Sequence, residues 1–334
     1  MKKNIFLWVA VFAVGAMSSC SVDKVVDQAE ARYIGFDPFA NKVTRGLDAT
    51  AFGHSNFDVW GKYDDVEVFA GKTVSWQTSN WTYQPLVPWV DGKKYEFAAI
   101  APHVENASYD YENDQYTLGE ITVNATPATQ IDYMTATPKT AVESGSNPVS
   151  FDFNHILSKI DFKFQPKIAD PNAWPSPVKI DIKKITLAQV NTDNTYNANN
   201  WVTSKTPVDF VKGDASVIGF TTYDGTSTVT ALEGQFSWLV VPQTDTEASN
   251  RALTIKFDVY TQDAAGAYTV KVLTDKEATV DIDTNWAANT VYTYTVYIGS
   301  DVLGQDAYIT FDVASANWGS TATIDNVDVT PTQP

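Results

Sequence analysis

The chain has 334 residues, of which 44% are hydrophobic and 13% aromatic, so it is too apolar to stay disordered and should fold. Its length fits two domains, since about 150 residues per domain is typical. A formal net charge of −17 at pH 7 repels phosphate groups and argues against a nucleic-acid partner. We interpret this acidity as a contribution to solubility outside the cell.

The first 20 residues have the composition of a lipoprotein secretion signal. Lys2 and Lys3 precede an apolar run at residues 5–16, and small residues then lead to Cys20, the single cysteine of the sequence. The run is shorter than the roughly 20 apolar residues that a membrane-spanning helix needs. We therefore predict that residues 1–20 are a signal peptide and that Cys20 is lipidated, which anchors the protein to a membrane.

Apolar and polar residues alternate through most of the chain, which is typical of strands with one buried and one solvated face. The fullest example is Leu253-Thr-Ile-Lys-Phe-Asp-Val259. The same pattern occurs at residues 66–68, 121–123, 160–164, 178–182, 292–298 and 309–313. We predict antiparallel strands at these places. No stretch has the helical pattern that an α/β fold would require.

Turn-forming residues separate the predicted strands and favour hairpins and Greek-key connections. These turns are Asp91-Gly92, Asn147-Pro148, Asp224-Gly225 and Ala265-Gly266. We predict an all-β fold of two Greek-key β-sandwich domains in tandem. The N-terminal domain would span residues 21–147 and the C-terminal domain residues 148–320, followed by a flexible tail at 321–334. The Asn-rich residues 191–200 are expected to form a mobile polar loop.

Residue types that usually carry catalysis or bind metal form no recognisable motif. His54, His103 and His155 are far apart in the sequence. Zinc, by contrast, takes three or four ligands, and these often come from closely spaced residues. The acidic stretches 110–114 and 281–283 lack the ligand number and the glycine of a calcium loop. No nucleophile elbow or phosphate-binding loop occurs, although carboxylate pairs assembled in space would leave no local spacing to read. We predict a non-enzyme without metal or cofactor.

Large aromatic side chains mostly fill cores, and we predict this role for most of the ten tryptophans. Those outside the signal that flank predicted strands are Trp60, Trp76, Trp81, Trp89, Trp238, Trp286 and Trp318. Exposed tryptophans can instead stack on sugars. A sugar-binding patch near Trp76 and Trp81 therefore stays open as an alternative.

Several short motifs follow Cys20 in a fixed order. They are Ile34-Gly-Phe36, Val43-Thr-Arg-Gly46, Phe57-Asp-Val-Trp60, residues 85–89, 95–102, 132–136, 153–160 and 286–294, and Trp318. Together these motifs resemble the fimbrillin family, the lipoprotein pilins of Bacteroidetes. The resemblance covers nearly the whole chain.

The resemblance implies two transthyretin-like β-sandwiches, export as a lipoprotein to the outer-membrane surface, and assembly into fimbriae. In stalk members of the family a trypsin-like protease cuts after an arginine, which removes the first strand with its lipid and opens a groove. A strand of a neighbouring pilin subunit then fills that groove. The matching cleavage position here is Arg45 followed by Gly46, and residues 33–39 have the apolar residues of the removed strand.

Two functions remain open at this stage. The first is a fimbrial subunit at the stalk, tip or anchor position, whose partners are other pilin subunits and a host or bacterial surface glycan or protein. The second is a glycan-binding surface lipoprotein that uses exposed tryptophans. Hydrolase activity has no positive support in the sequence.

Overall fold

The structure is a computed structural model that describes residues 32–37, 55–166, 178–203, 207–220, 237–244, 251–282, 285–300, 307–317 and 327–328. Cys20, Arg45 and Gly46 lie outside the described residues. Strands dominate the described part of the chain, which confirms the predicted all-β fold. None of its helices is long and apolar enough to cross a bilayer.

The first half of the chain forms twelve short strands and one 3-10 turn at Pro127–Thr129. The strands are β1 (Phe36–Asp37), β2 (Phe57–Tyr63), β3 (Val66–Gln77), β4 (Asn80–Thr82), β5 (Lys94–Ala101), β6 (Ser108–Asp110), β7 (Gln115–Thr117), β8 (Gly119–Thr122), β9 (Met134–Ala136), β10 (Lys139–Glu143), β11 (Val149–Ser150) and β12 (Phe153–His155). The predicted turn at Asp91-Gly92 precedes β5.

The second half is built from longer strands. They are β13 (Ser158–Pro166), β14 (Lys179–Asn191), β15 (Asp193–Asn197), β16 (Asn200–Thr203), β17 (Pro207–Phe220), β18 (Ser237–Val240), β19 (Gln243–Thr244), β20 (Ala252–Thr261), β21 (Val270–Asp281), β22 (Asn285–Trp286), β23 (Thr290–Ser300), β24 (Ala307–Asn317) and β25 (Val327–Asp328). Each strand predicted from alternation lies in or overlaps one of the observed strands, so these predictions are confirmed.

The N-terminal sheet has the order β12-β9-β5-β2-β3-β4, with β10 also beside β5. Its central strand β5 is buried on both faces, because successive side chains of a strand point to opposite sides. Tyr95, Phe97 and Ala99 face a first hydrophobic cluster, which we call the N-terminal core. Ala98 and Ile100 face a second cluster, the C-terminal core. One sheet therefore separates the two cores.

The C-terminal core is packed largely by two sheets, with orders β18-β13-β23-β24-β25 and β17-β14-β20-β21. Ile160, Phe162 and Phe164 of β13 alternate along one face and are fully buried. Among the described strands β13 pairs with β23 in parallel, as β1 does with β11, and the other pairings are antiparallel. The prediction of antiparallel strands at residues 160–164 and 292–298 was wrong for the pairing of β13 with β23, because no hairpin turn dictates the direction of strands so distant in sequence.

The predicted loop at residues 191–200 is instead part of a hairpin, β15–β16, which pairs with β8 of the first half. Tyr196 is buried. The side chain of Asn199 accepts a hydrogen bond from the backbone nitrogen of Tyr116 at 2.8 Å and donates one to the carbonyl oxygen of Asp114 at 2.8 Å. The loop prediction was wrong because β15 also pairs with β8, whose partner residues lie 71–77 positions earlier in the chain and are not visible in local composition.

The strands that follow residue 148 make contacts with strands that precede it. β11 pairs with β1 and β12 pairs with β9, while Phe151 joins the N-terminal core. In return, β8 joins β15, and Ile121 joins the C-terminal core. The division at residue 148 and the Greek-key connections remain predictions.

Replacing Gly61 with alanine should destabilise the N-terminal core. A β-carbon at this position would lie 2.7 Å from Cδ1 of Phe97 and 2.9 Å from Cδ2 of Phe69. Overpacking of this kind typically costs about 1–3 kcal/mol. Urea unfolding should show this loss for Gly61→Ala, whereas the exposed Gln77→Ala should stay within about 0.5 kcal/mol of wild type. Equal stability of both variants would contradict the close packing.

Acid should weaken the contact between β20 and β21 at Asp258, which is buried. Burial alone raises the pKa of this carboxyl, but hydrogen bonds from Lys271 Nζ at 2.6 Å and the Asp275 amide at 2.7 Å outweigh it, so the pKa is lowered. A lowered folded pKa stabilises the protein above the unfolded value of about 3.9, and this stabilisation disappears as pH falls through the folded pKa. The stability difference between wild type and Asp258→Asn should therefore shrink from pH 7 to pH 3 in urea unfolding. An unchanged difference would contradict this.

Candidate functional site

Residues 32–37, which we call the N-terminal strand, are hydrogen-bonded along both sides. On one side the Ile34 amide donates to the Val87 carbonyl and the Trp89 amide donates to the Arg32 carbonyl, both at 2.9 Å. On the other side the strand runs parallel to β11, and the Val149 amide donates to the Gly35 carbonyl at 2.8 Å. The Phe151 amide also donates to the carbonyl of Asp37, at 3.3 Å. The N-terminal strand thus lies between two segments of the chain, residues 87–89 and 147–151, which we call the walls.

The side chain of Asn147 binds the backbone of the N-terminal strand at two points. Its Nδ2 donates to the carbonyl oxygen of Tyr33 at 2.6 Å, and its Oδ1 accepts from the amide of Gly35 at 2.9 Å. The indole Nε1 of Trp89 also donates to this Oδ1, at 3.1 Å. Because Trp89 belongs to the opposite wall, Asn147 connects both walls and the strand between them.

The hydroxyl of Tyr83 binds the backbone of the N-terminal strand from the side of the N-terminal core. It donates to the carbonyl oxygen of Ile34 at 2.8 Å and accepts from the amide of Val87 at 3.3 Å. Burial raises the pKa of this phenol, and the hydrogen bond from Val87 opposes that shift only in part. The hydroxyl therefore stays protonated at neutral pH and remains a donor.

Alternate side chains of the N-terminal strand point into the N-terminal core. Ile34 is 1% exposed and Phe36 is 5% exposed, whereas Tyr33 between the walls is 45% exposed. This is the period-two pattern of a strand that covers an apolar surface. We call the space occupied by these two side chains, together with the walls at residues 87–89 and 147–151, the slot.

Phe36 fits into an aromatic box at the floor of the slot. Its ring centroid lies 5.2 Å from Phe69, 5.6 Å from Tyr83, 5.7 Å from Phe97 and 5.9 Å from Phe151. The contacts with Phe69 and Phe97 are edge-to-face, a favoured arrangement of aromatic pairs. The box draws its rings from four separate segments of the chain, so it forms only when they are assembled.

Contacts that do not involve the N-terminal strand also hold the walls in place. The amide of Val90 donates to the hydroxyl of Tyr95 at 2.8 Å, and the ring of Trp89 lies 4.7 Å from that of Tyr95, edge-to-face. Next to the other wall, the amide of Ser144 donates to the carbonyl of Lys93 at 3.1 Å. These contacts would persist if the strand left the slot.

The predicted lipidation site Cys20 and the predicted cleavage site Arg45–Gly46 lie outside the described residues, and both stay predictions. Arg45 falls in the connection of residues 38–54 that joins the N-terminal strand to β2. A cut there would leave the strand attached to the slot through non-covalent contacts alone. Of the predicted removable strand at residues 33–39, residues 33–37 lie in the slot, and their removal stays a prediction.

The histidines that the structure describes each pair with a carboxylate. His103 Nδ1 lies 2.7 Å from Asp58 Oδ2, and His155 Nδ1 lies 2.8 Å from Asp132 Oδ2. His54 lies outside the described residues. Within the described ranges no group of three or more His, Cys, Asp or Glu residues could hold a metal ion.

The acidic turn at residues 110–114 closes on itself. The carboxylate of Asp110 accepts hydrogen bonds from Asn113 Nδ2 at 2.7 Å and from the amide of Glu112 at 2.8 Å. The Asn113 contact and then the Glu112 amide lower the pKa of this carboxyl. Its oxygens therefore serve the turn between β6 and β7. In the second acidic stretch, residues 281–283, Asp283 lies outside the described residues.

Four of the tryptophans are buried as predicted: Trp60, Trp89, Trp238 and Trp286. Trp318 lies outside the described residues. Trp76 and Trp81 form a cross-strand pair of β3 and β4, half-buried, with ring centroids 5.4 Å apart and edge-to-face. Trp81 also lies 5.1 Å from the buried ring of Phe57. The pair thus borders the N-terminal core.

The two residues that bind the backbone of the N-terminal strand carry no local signal in the sequence. Asn147 with Pro148 indicates only a turn, and nothing around Tyr83 indicates a role. Their bonds to the strand span 112 residues for Asn147 to Gly35 and 49 residues for Tyr83 to Ile34. Separations of this size leave no local pattern, so only a residue-pair signal between distant positions could have found them.

Removing the side-chain contacts to the N-terminal strand should lower the stability of the uncut protein. Tyr83→Phe removes one donor and should cost about 1–2 kcal/mol, while Asn147→Ala removes up to three hydrogen bonds and should cost about 2–4 kcal/mol. Urea unfolding measures both. The exposed Asn113→Ala serves as the control and should change stability by less than about 1 kcal/mol. If Asn147→Ala behaved like this control, the side-chain contacts would not hold the strand.

Comparisons with known proteins agree with this architecture. Among curated proteins none matches the chain. A fimbrial protein from Bacteroides vulgatus ATCC 8482 is similar in structure, with a TM-score of 0.61 at 19% identity, over 86% of this chain and 99% of that one. A candidate cell adhesion protein from Bacteroides uniformis ATCC 8492 has a TM-score of 0.51 at 16% identity, over 86% and 99%. At these identities the two structures show a shared fold.

The family assignment comes from the sequence itself. Residues 44–318 match the profile of a family described as Fimbrillin-like, which is most of the chain. The matched range includes both walls of the slot and all four rings of the aromatic box, and it begins one residue before Arg45. The resemblance found from short motifs is thereby confirmed, and the chain belongs to the Fimbrillin-like family.

Proposed function

We propose that this protein is a fimbrial subunit that assembles by exchange of a strand after proteolysis behind Arg45. The observation that carries the proposal is the N-terminal strand, which fills an apolar slot between two walls. The cut would separate this strand, together with the lipid on Cys20, from the folded body that begins before β2. The emptied slot would then accept an extended strand from another subunit.

The free energy for this exchange would come from what an empty slot leaves exposed. The amides of Val149 and Phe151 and the carbonyl of Val87 would lose their partners, and an unsatisfied buried group costs about 1–3 kcal/mol. The surfaces that Ile34 and Phe36 cover would meet water, at roughly 1.5–3 kcal/mol for each side chain. A strand of suitable sequence removes both costs at once.

Electrostatics oppose assembly of such acidic subunits. The full chain carries a formal charge of −17, and the cut removes six basic and four acidic residues, so the cut subunits are slightly more acidic and repel one another. Salt screens this repulsion over a distance of about 10 Å at 0.1 M, whereas the buried strand contacts are affected much less. Assembly should therefore depend on the slot and be helped modestly by salt.

The same proposal assigns a place and partners to the protein. It would be exported as a lipoprotein, held at the outer-membrane surface through Cys20, and released into a fimbrium after cleavage. Its partners would be other pilin subunits, and a glycan or protein on a host or bacterial surface would be the ligand for adhesion. The role as stalk, tip or anchor subunit depends on whether Arg45 is cut in cells.

Glycan binding at Trp76 and Trp81 is the second candidate. It is supported by their partial exposure on one hairpin. The rings pack against each other and against Phe57, however, and this contact is what core packing at a sheet edge would produce. Loss of glycan-array binding in Trp81→Ala, in a protein that does not assemble, would favour this candidate over the first.

Limited proteolysis of the folded protein tests the first candidate. A trypsin-like protease should cut the purified full chain after Arg45, so that mass spectrometry finds Gly46 at the new N-terminus. The cut protein should then form oligomers or filaments in size-exclusion chromatography and electron microscopy.

Arg45→Gln provides the matched control, because it should resist this cut and stay monomeric under the same conditions. A wild-type protein that is cut after Arg45 yet remains a monodisperse monomer, and binds no added strand peptide, would overturn the proposed assembly.

A further inference from the structure

We propose that the slot selects its occupant by a three-residue rule: an aliphatic residue, then any residue except proline, then an aromatic residue, in a strand that runs parallel to β11. The occupant would be a strand of a second copy of this chain. The rule rests on the proposed function, because it describes what the emptied slot accepts. Ile34, Gly35 and Phe36 satisfy it in the uncut protein.

The aromatic position is set by the box around Phe36. Four rings lie within 5.2–5.9 Å of its centroid, and the side chain is 5% exposed. A small side chain would leave a cavity that these rings cannot fill, and a charged one would be desolvated without a partner. The position therefore requires a ring.

The aliphatic position is set by burial and by the backbone together. Ile34 is 1% exposed and belongs to the N-terminal core. Its amide donates to Val87 and its carbonyl accepts from Tyr83, so both of its polar backbone groups are bonded. The residue of an incoming strand that makes these two backbone hydrogen bonds must therefore have an apolar side chain, because that side chain enters the N-terminal core.

The middle position accepts a side chain but requires an amide hydrogen. A β-carbon on Gly35 would have Asn147 Oδ1 as its nearest neighbour at 3.7 Å, which is ordinary van der Waals contact. The amide of Gly35, by contrast, donates to this same oxygen at 2.9 Å. Alanine should therefore be tolerated here, whereas proline, which has no amide hydrogen, should not.

Asn147 and Tyr83 set the register of the occupant. They contact the backbone of three successive residues, Tyr33, Ile34 and Gly35, without contacting side chains of the strand through these bonds. A slip by one residue would turn the apolar side chains away from the core. Asn147 and Tyr83 are thus positioning residues that bind the backbone of the occupant, whereas the aromatic box selects the side chain at the position of Phe36.

Several segments of the chain satisfy the rule, among them Val149-Ser-Phe151 and Ile160-Asp-Phe162, and one segment is identical to residues 34–36. Ile218-Gly-Phe220 repeats the tripeptide of residues 34–36 and lies at the end of β17. Among the described strands β17 is the last in its sheet and pairs with β14. A second copy therefore carries a matching segment in an edge strand, and this segment has to leave β14 before it can be bonded on both sides in the slot.

Peptide exchange into the cut protein tests the rule. The protein is the full chain cut after Arg45 while folded, and the probe is a fluorescent peptide with the sequence of residues 31–39, followed by anisotropy and native mass spectrometry. A Gly35→Ala peptide should bind within about threefold of the parent. A Phe36→Ala peptide should bind about 100-fold more weakly, as should a Gly35→Pro peptide. A peptide of residues 214–222 should bind within about tenfold of the parent.

Variants of the protein separate the contribution of hydrogen bonds to the backbone of the peptide from the contribution of contacts with its side chains. Tyr83→Phe keeps the ring of the box and removes the hydroxyl, so it should weaken the parent and Gly35→Ala peptides by the same factor of about 3–10. Asn147→Ala should weaken both further. Circular dichroism confirms that each variant is folded, and Tyr83→Phe keeps the test decisive if Asn147→Ala does not fold.

The outcomes distinguish the rule from the proposed function. If the cut protein exchanges peptides but binds Phe36→Ala and Gly35→Pro as tightly as the parent, the rule is wrong and strand exchange stands. If the 214–222 peptide fails while the parent binds, the three residues are not sufficient and the rule is wrong. If no peptide enters and the cut protein stays monomeric, both fail.

Discussion

A strand inserted into the middle of a fold must have its backbone polar groups bonded on both sides, and this constraint shapes the N-terminal half of the molecule. The two walls bond the N-terminal strand from opposite sides, while Asn147 and Tyr83 supply side-chain partners in between. Because buried amides and carbonyls without partners are costly, a strand in this position cannot leave without a replacement or a large loss of stability. The need for a bound strand at this place therefore follows from hydrogen bonding of the backbone.

The floor of the slot is held by a strand that serves two cores. Phe97 and Tyr95 of β5 face the N-terminal core, and Ala98 and Ile100 face the C-terminal core. Collapse of the slot around a missing Phe36 would have to move β5, and this movement would disturb the packing on its other face. Close-packed interiors resist such shifts. Packing on both faces of β5 would therefore oppose collapse of the slot if the N-terminal strand left it.

The N-terminal strand of this member of the Fimbrillin-like family is held by hydrogen bonds to its backbone and by aromatic packing around Phe36. In the described part of the chain, histidines and acidic turns make local contacts: His103 and His155 each bind one carboxylate, and Asp110 closes its own turn. Asn147 and Tyr83 both bind the backbone of the N-terminal strand. This arrangement supports recognition of a strand by its backbone and its register.

The sequence by itself determined the strand content, the apolar faces and the family, because alternation such as Leu253 to Val259 is a local property and short motifs keep their order along the chain. It also led to the prediction of a strand at residues 33–39, of which residues 33–37 fill the slot. Only the tertiary structure decided the parallel pairing of β13 with β23, the pairing of β15 with β8, and the roles of Asn147 and Tyr83. Each of these depends on partners dozens of residues away, and chain folding, not local composition, brings such partners together.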